Sequence, residues 1–167
     1  SEGAQISVST FSSGKAGSLR VTGADLVELI GTDAEGDPSG LFAEVNPRAS
    51  GAGGDLTIET KQLKLSGGAQ ISVSTFGSGK AGNLLVTGAD LVELIGADAE
   101  GDASGLFAQV NSEASGDGGN LTVEAKQLKL SAGAQISAST SGSGKAGNLF
   151  VTEADLIEAI GTDAEGS

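Results

Sequence analysis

The chain has no cysteine, histidine, methionine, tryptophan or tyrosine, only 2 prolines, and 5 phenylalanines as its whole aromatic content. The missing cysteine and histidine exclude a disulfide framework, a Cys/His zinc site and an imidazole base. Any catalysis would have to rest on carboxylates. Cations are scarce as well: 9 Lys and Arg face 22 Asp and Glu, a net charge of −13. Gripping phosphates needs clustered Lys and Arg, so no nucleic-acid partner is expected. No apolar run reaches the length of a bilayer span and no basic-then-apolar leader is present, so no membrane insertion is expected. With 38% hydrophobic residues but few aromatics, the implied core is aliphatic and thin.

Against these absences stands one strong positive signal, internal repetition. Residues 4–68 and 69–133 align without a gap at a period of 65 with 52 identities, and 134–167 begin a third copy. A weaker echo divides each period: GSLRVT, GDLTIE, GNLLVT, GNLTVE and GNLFVT start at Gly17, Gly54, Gly82, Gly119 and Gly147, at offsets of 37, 28, 37 and 28. One period is therefore a long turn followed by a short turn of the same unit. The whole chain, 1–167, reads as a single β-solenoid domain. Because it holds no methionine and starts and stops within a repeat, it reads as a processed or excised piece, without the capping ends that solenoids usually carry.

Within a turn, AQISVST at 4–10 alternates apolar and small polar residues, the period of a strand with one buried face. A Gly/Ser bend at 12–17 follows. Next come a second strand with Leu19 and Val21 on one face, and a third at Val27–Leu29. Ala24–Ile30 has the Leu and Glu content of a helix. Its counterpart at 63–66 alternates strictly beside glycine, which favours strand. The long turn inserts TDAEGDPSG at 32–40. Three short strands per turn with no helix between them, over about five turns, describe an all-β parallel β-helix with alternating long and short turns.

Stacking predicts columns of equivalent side chains. The exposed position of the third strand runs Glu28, Lys64, Glu93, Lys129, Glu158, so opposite charges alternate at each step. Thr22, Glu59, Thr87, Glu124 and Thr152 separate acids by neutral residues. Ser18, Asp55, Asn83, Asn120 and Asn148 form a corner column able to hydrogen-bond along its length. Two inward columns are Leu19, Leu56, Leu84, Leu121, Leu149 and Val21, Ile58, Val86, Val123, Val151.

The set of GNLxVT, VELxG, SGLFA at 39–43 and 104–108, GG(D/N)LT(I/V) and GAQIS resembles the repeat region of filamentous-haemagglutinin-like exoproteins, especially the large cyanobacterial ones. The resemblance covers essentially the whole chain. It implies a right-handed parallel β-helix, secretion through a two-partner system, and a secreted or cell-surface role in adhesion as a rigid rod or filament. Neither the secretion-recognition domain nor a receptor-binding module of that family is visible.

Candidate sites are few. GxGxxG at 77–82 and 142–147 precedes a strand instead of opening a helix, and Lys80 is followed by Ala81, so a β-corner is read there and not a nucleotide loop. Asp33, Glu35 and Asp37, repeated as Asp98, Glu100 and Asp102 and begun again at Asp163 and Glu165, space carboxylates as calcium loops do. Gly36 comes too early for an EF-hand, however, and position twelve is Glu44 in one copy and Gln109 in the next. The first reading is a solvated acidic loop. These six carboxylates are the candidate metal ligands, and calcium is the only cofactor considered. No turn carries a unique cluster of carboxylates, so no enzyme is expected. Rows of Ser7, Ser9, Thr10, then Ser72, Ser74, Thr75, then Ser137, Ser139, Thr140 resemble a hydroxyl array for ice, interrupted in alternate turns by 42–45. The expected function is structural. The alternative is an interaction module binding calcium or glycans through its long-turn loops, and a third expectation is end-to-end self-association through open strand edges.

Overall fold

The structure, a computed structural model, describes residues 3–161. Its described residues form eleven strands and no helix: β1 (Gln5–Ser7), β2 (Leu19–Ile30), β3 (Gly40–Phe42), β4 (Leu56–Ser66), β5 (Gln70–Ser72), β6 (Leu84–Ile95), β7 (Gly105–Phe107), β8 (Leu121–Ser131), β9 (Gln135–Ser137), β10 (Leu149–Thr152) and β11 (Leu156–Ile160). Every strand pairs in parallel with its equivalent one turn away, which makes a β-solenoid. One sheet runs β1-β3-β5-β7-β9; the other runs β10-β8-β6-β4-β2, with β11 also on β8. A third, minimal ladder links Thr10, Val45, Thr75, Val110 and Thr140 by single parallel bridges. At about 4.8 Å per turn the stack is about 24 Å tall.

The three strand segments expected in each turn are present, but the second and third are continuous. They form one long strand that bends at a β-bulge. Val21 pairs with Ile58, an offset of 37, whereas Ala24 pairs with Thr60, an offset of 36, so the long turn carries one extra residue there. Gly23 and Gly88 absorb it at φ of 77° and 72°, a left-handed conformation that costs glycine nothing. In the last turn Glu153 occupies this position at φ 62°, and the strand is broken into β10 and β11. Ala24–Ile30, the segment with helical composition, is strand throughout.

Between the sheets lies the aliphatic core. Leu56, Ile58, Leu84, Val86, Leu121 and Val123 are fully buried and stack in the expected order. Ile71 and Leu106 from the short sheet face them. Each such side chain contributes about 1.5–3 kcal/mol by leaving water.

The corners explain the glycines. Gly54, Gly82, Gly119 and Gly147 lie so close to the preceding turn that a Cβ on any of them would overlap the carbonyl of the glycine below, and Gly51, Gly79, Gly116 and Gly144 do the same one corner earlier. The GxGxxG spacing is thus a packing requirement of stacked backbone, in agreement with the β-corner reading.

Candidate functional site

Three surfaces warrant description: the charged columns, the acidic long-turn loops and the outer face of the short sheet. The first column follows the expected register, Glu28 opposite Lys64, Lys64 opposite Glu93, Glu93 opposite Lys129 and Lys129 opposite Glu158. Lys64 reaches Glu93 at 3.6 Å and Lys129 reaches Glu158 at 3.4 Å. A second alternating column, absent from the sequence reading, lies three residues upstream. Lys61 contacts Asp25 at 2.8 Å and Lys126 contacts Asp90 at 2.6 Å. The lysine hydrogen bond, then its charge, lowers the pKa of both Asp25 and Asp90. The signal that would have found this column is the same acid/lysine alternation, read with the gap placed at the bulge.

The corner column is a hydrogen-bond ladder, as expected. The Asn83 backbone amide and side-chain amide both donate to Asp55 Oδ1, at 2.8 and 3.0 Å, and Asn148 repeats the arrangement on Asn120 Oδ1 at 2.9 and 3.1 Å. Asn120 completes the chain with a backbone donation to Asn83 Oδ1 at 3.0 Å.

In the acidic loop, Thr32 and Pro38 are bridged antiparallel, and Asp33 Oδ1 accepts the backbone amides of Glu35 and Asp37 at 3.0 and 2.8 Å. Asp98 does the same for Glu100 and Asp102 at 3.0 and 2.8 Å. One oxygen of each leading aspartate therefore shapes the loop, while Glu35, Asp37, Glu100 and Asp102 are exposed. Asp98 Oδ2 is buried beside Gly68 and has no hydrogen-bond partner among the described residues. No group of three or more Asp or Glu with metal-holding geometry occurs among the described residues. The third copy, Asp163 and Glu165, lies outside them.

The outer face of the short sheet alternates in chemistry from turn to turn. Ser7, Phe42, Ser72, Phe107 and Ser137 form one column, and Gln5, Gly40, Gln70, Gly105 and Gln135 form its neighbour. The Phe42 ring folds over Gly40, and Phe107 over Gly105, filling the space glycine leaves. This produces a shallow trough of about 370 Å³ that includes Gln70, Ser72, Asp102 and Phe107, adjoining one of about 320 Å³ that includes Gln5, Asp37 and Phe42. Glu44 lines both. Ser72 donates to Glu44 Oε1, and burial raises the Glu44 pKa, with the Ser72 hydrogen bond opposing the rise. Sequence reading passed over Glu44 except as an imperfect calcium ligand; its one visible mark is the Glu44/Gln109 difference between repeats. Gln109 donates to Ser137 at 3.0 Å, so the neutral amide fills the same role.

The hydroxyl rows differ from the flat array that ice would need. Thr10 and Thr75 are buried, and Thr10, Thr75 and Thr140 donate to the carbonyls of Gly14, Gly79 and Gly144 at 2.6, 2.8 and 2.9 Å. The serines pair within each turn, Ser7 with Ser9, Ser72 with Ser74 and Ser137 with Ser139, and in the middle turn Ser72 and Ser74 are themselves buried.

With this geometry in hand, comparison with known proteins returns nothing: no family model, no curated protein and no solved structure matches the chain.

Proposed function

We propose that the chain is a rigid structural segment of a longer repeat protein of the adhesin-like, filamentous-haemagglutinin kind, displayed at a cell surface or secreted. The observation that carries this reading is the register beyond the bulge, the same at every step of the long sheet, in which the Glu28-to-Glu158 column alternates throughout. A fold whose turns all perform one job, stacking, acts as a spacer. Its length is proportional to repeat number, and its acidic surface keeps it soluble. Small-angle scattering on chains carrying added 65-residue periods tests this: each period should lengthen the particle by about 10 Å at constant cross-section. A particle that thickens or gains no length would refute the spacer. Surface proteolysis of intact producing cells tests the location, with protection of the chain as the contrary result.

The trough supports a second reading, binding of a neutral linear glycan. Amide, hydroxyl and phenyl groups line it and recur every two turns, about 10 Å apart. Titration of the chain against neutral oligosaccharides, with Gln70→Ala and Phe107→Ala as controls, separates this from a spacer role alone.

A further inference from the structure

Beyond the bulge, the long strand β6 turns Leu91, Glu93 and Ile95 outward, while Val92 and Leu94 between them are fully buried. The short turns on either side present Gln62, Lys64 and Ser66, or Gln127, Lys129 and Ser131, in register with these three. This outer facet of the sheet is therefore built of two alternating rows, Leu, Glu, Ile from each long turn and Gln, Lys, Ser from each short one. Ile95 is 40% exposed although turns stack on both sides of it, so its exposure belongs to the facet and not to an end of the stack. Charge also sets the facet apart. Together with the bend beside it, it carries Asp25, Glu28, Lys61 and Lys64 in one period and Asp90, Glu93, Lys126 and Lys129 in the next, which is neutral in each period of a chain of net charge −13. The other half of the same strands carries Glu59 and Glu124 against one cation, Arg20. Repulsion between two copies of the chain is thus least where these rows lie.

The two-row pattern is self-complementary. A twofold axis that crosses the rod midway between neighbouring rows lays a second copy antiparallel on the first, so that every Leu-Glu-Ile row faces a Gln-Lys-Ser row. Glutamate then meets lysine, and bulky isoleucine meets serine, so large side chains of one sheet fill the space above small ones of the other. In this arrangement Ile95 faces Ser66 or Ser131, according to which side of its row the axis lies. A twofold axis along the rod would instead set each row on its own kind, with Glu on Glu and Lys on Lys. Taking the ion column out of water is costly, so the charges fix the register while leucine and isoleucine supply the affinity.

We propose that this facet is a lateral docking surface for a second copy of the chain, lying antiparallel and displaced by one turn, so that the repeat rods pair side by side. The displacement leaves four of the five turns overlapping, a patch of about 19 Å by about 20 Å, or roughly 400 Å² per copy. A stable interface of standard size needs about 800 Å² per partner. Two further 65-residue periods would bring the overlap to eight turns and roughly that area. Pairing therefore grows with repeat number. The proposal rests on the spacer reading only in that added periods must stack in the same register.

The test compares the full chain with one lengthened by two copies of residues 69–133 inserted after position 133. Sedimentation velocity should show the lengthened chain as a dimer at a concentration at least about tenfold below that at which the parent chain pairs. Ile30→Ser, Ile95→Ser and Ile160→Ser, with the same change in the added periods, should weaken pairing at least about tenfold and leave the urea midpoint nearly unchanged, because the side chains removed are exposed. Leu85→Ser, on the other half of the same strand, serves as the control and should leave pairing intact. A lengthened chain that stays monomeric, pairing indifferent to the isoleucines, or pairing lost equally with Leu85 overturns the proposal. Since pairing thickens the particle, the spacer is read by scattering from the serine variant: length gained there without thickening supports it, and no gain in length overturns it. In that last case the parent chain decides the facet alone. Pairing at about millimolar concentration that Ile95→Ser abolishes supports the docking surface, and a monomer there overturns it.

Discussion

Lys64 Nζ lies 3.6 Å from Glu93 Oε2, across one step of the long sheet, with Glu28 in register on the opposite side of the lysine. Replacing that lysine by Glu would put three acids in consecutive register positions. Directly opposed like charges cost several tenths of a kcal/mol each at a partly exposed site. Lys64→Glu is therefore expected to lose about 1 kcal/mol in urea unfolding at low salt, and Lys64→Gln about half as much. High salt should shrink the difference between the two variants, since screening acts on the charge and leaves the side-chain size unchanged. A gap that persists in high salt would mean the column acts through packing.

The glycine corners separate two reasons for glycine within one turn. A Cβ on Gly82 would overlap the Gly54 backbone carbonyl, whereas a Cβ on Gly88 would meet nothing within 4 Å, but φ there is 72°. Gly82→Ala must push two turns apart and is expected to cost about 3 kcal/mol; Gly88→Ala must hold a left-handed backbone and is expected to cost about 1 kcal/mol. Denaturant midpoints of the two variants should fall in that order, and the reverse order would contradict the stacking distances.

Two positions in the chain have already made the second kind of change. Glu153, at φ 62°, stands where Gly23 and Gly88 stand in the earlier repeats, and Ala132, at φ 53°, stands where Gly67 does. Restoring glycine removes the Cβ conflict of the left-handed region at the cost of a more flexible unfolded chain. A net gain of about 0.5–1 kcal/mol is expected for Glu153→Gly and for Ala132→Gly. Amide exchange should slow across Leu149–Ile160 in the first variant. Unchanged or faster exchange there would show that the break between β10 and β11 has another cause.

Parallel, in-register stacking is what made so much of this fold readable. When every strand pairs with its own equivalent, a column is found by aligning the repeats, and Glu28 to Glu158, Asp55 to Asn148 and Leu56 to Leu121 all fall where that alignment puts them. The Asp25–Lys61 column was missed because the bulge shifts register by one residue between Val21 and Ala24, and residue types alone do not say where the extra residue sits. Thr10 shows the opposite kind of miss. Strand alternation opposes it to Ser9 and sends it inward, so the signal was present, but its hydroxyl drew it into a surface row. Glu44 was illegible for a different reason: its burial comes from neighbouring turns, Ser72 and the Phe76 wall, which lie about thirty residues away in sequence.

Glu44 supplies the pH dependence. Its ordinary pKa of 4.5 is raised by burial, only partly offset by the Ser72 hydrogen bond. A carboxyl whose folded pKa lies above its unfolded one binds its proton more tightly when folded. Its favourable contribution is complete below the unfolded value and declines as pH rises through the raised folded value. Gln109, the equivalent residue one repeat on, bonds Ser137 without any charge. Glu44→Gln should match the parent chain near pH 4 and become the more stable of the two as pH approaches 7, where the parent must hold an ionised carboxylate in a partly desolvated trough. Thermal unfolding of both chains across this range measures the difference. A gap that stays constant with pH, or that favours the parent chain at pH 7, would place the Glu44 carboxylate in a solvated position instead.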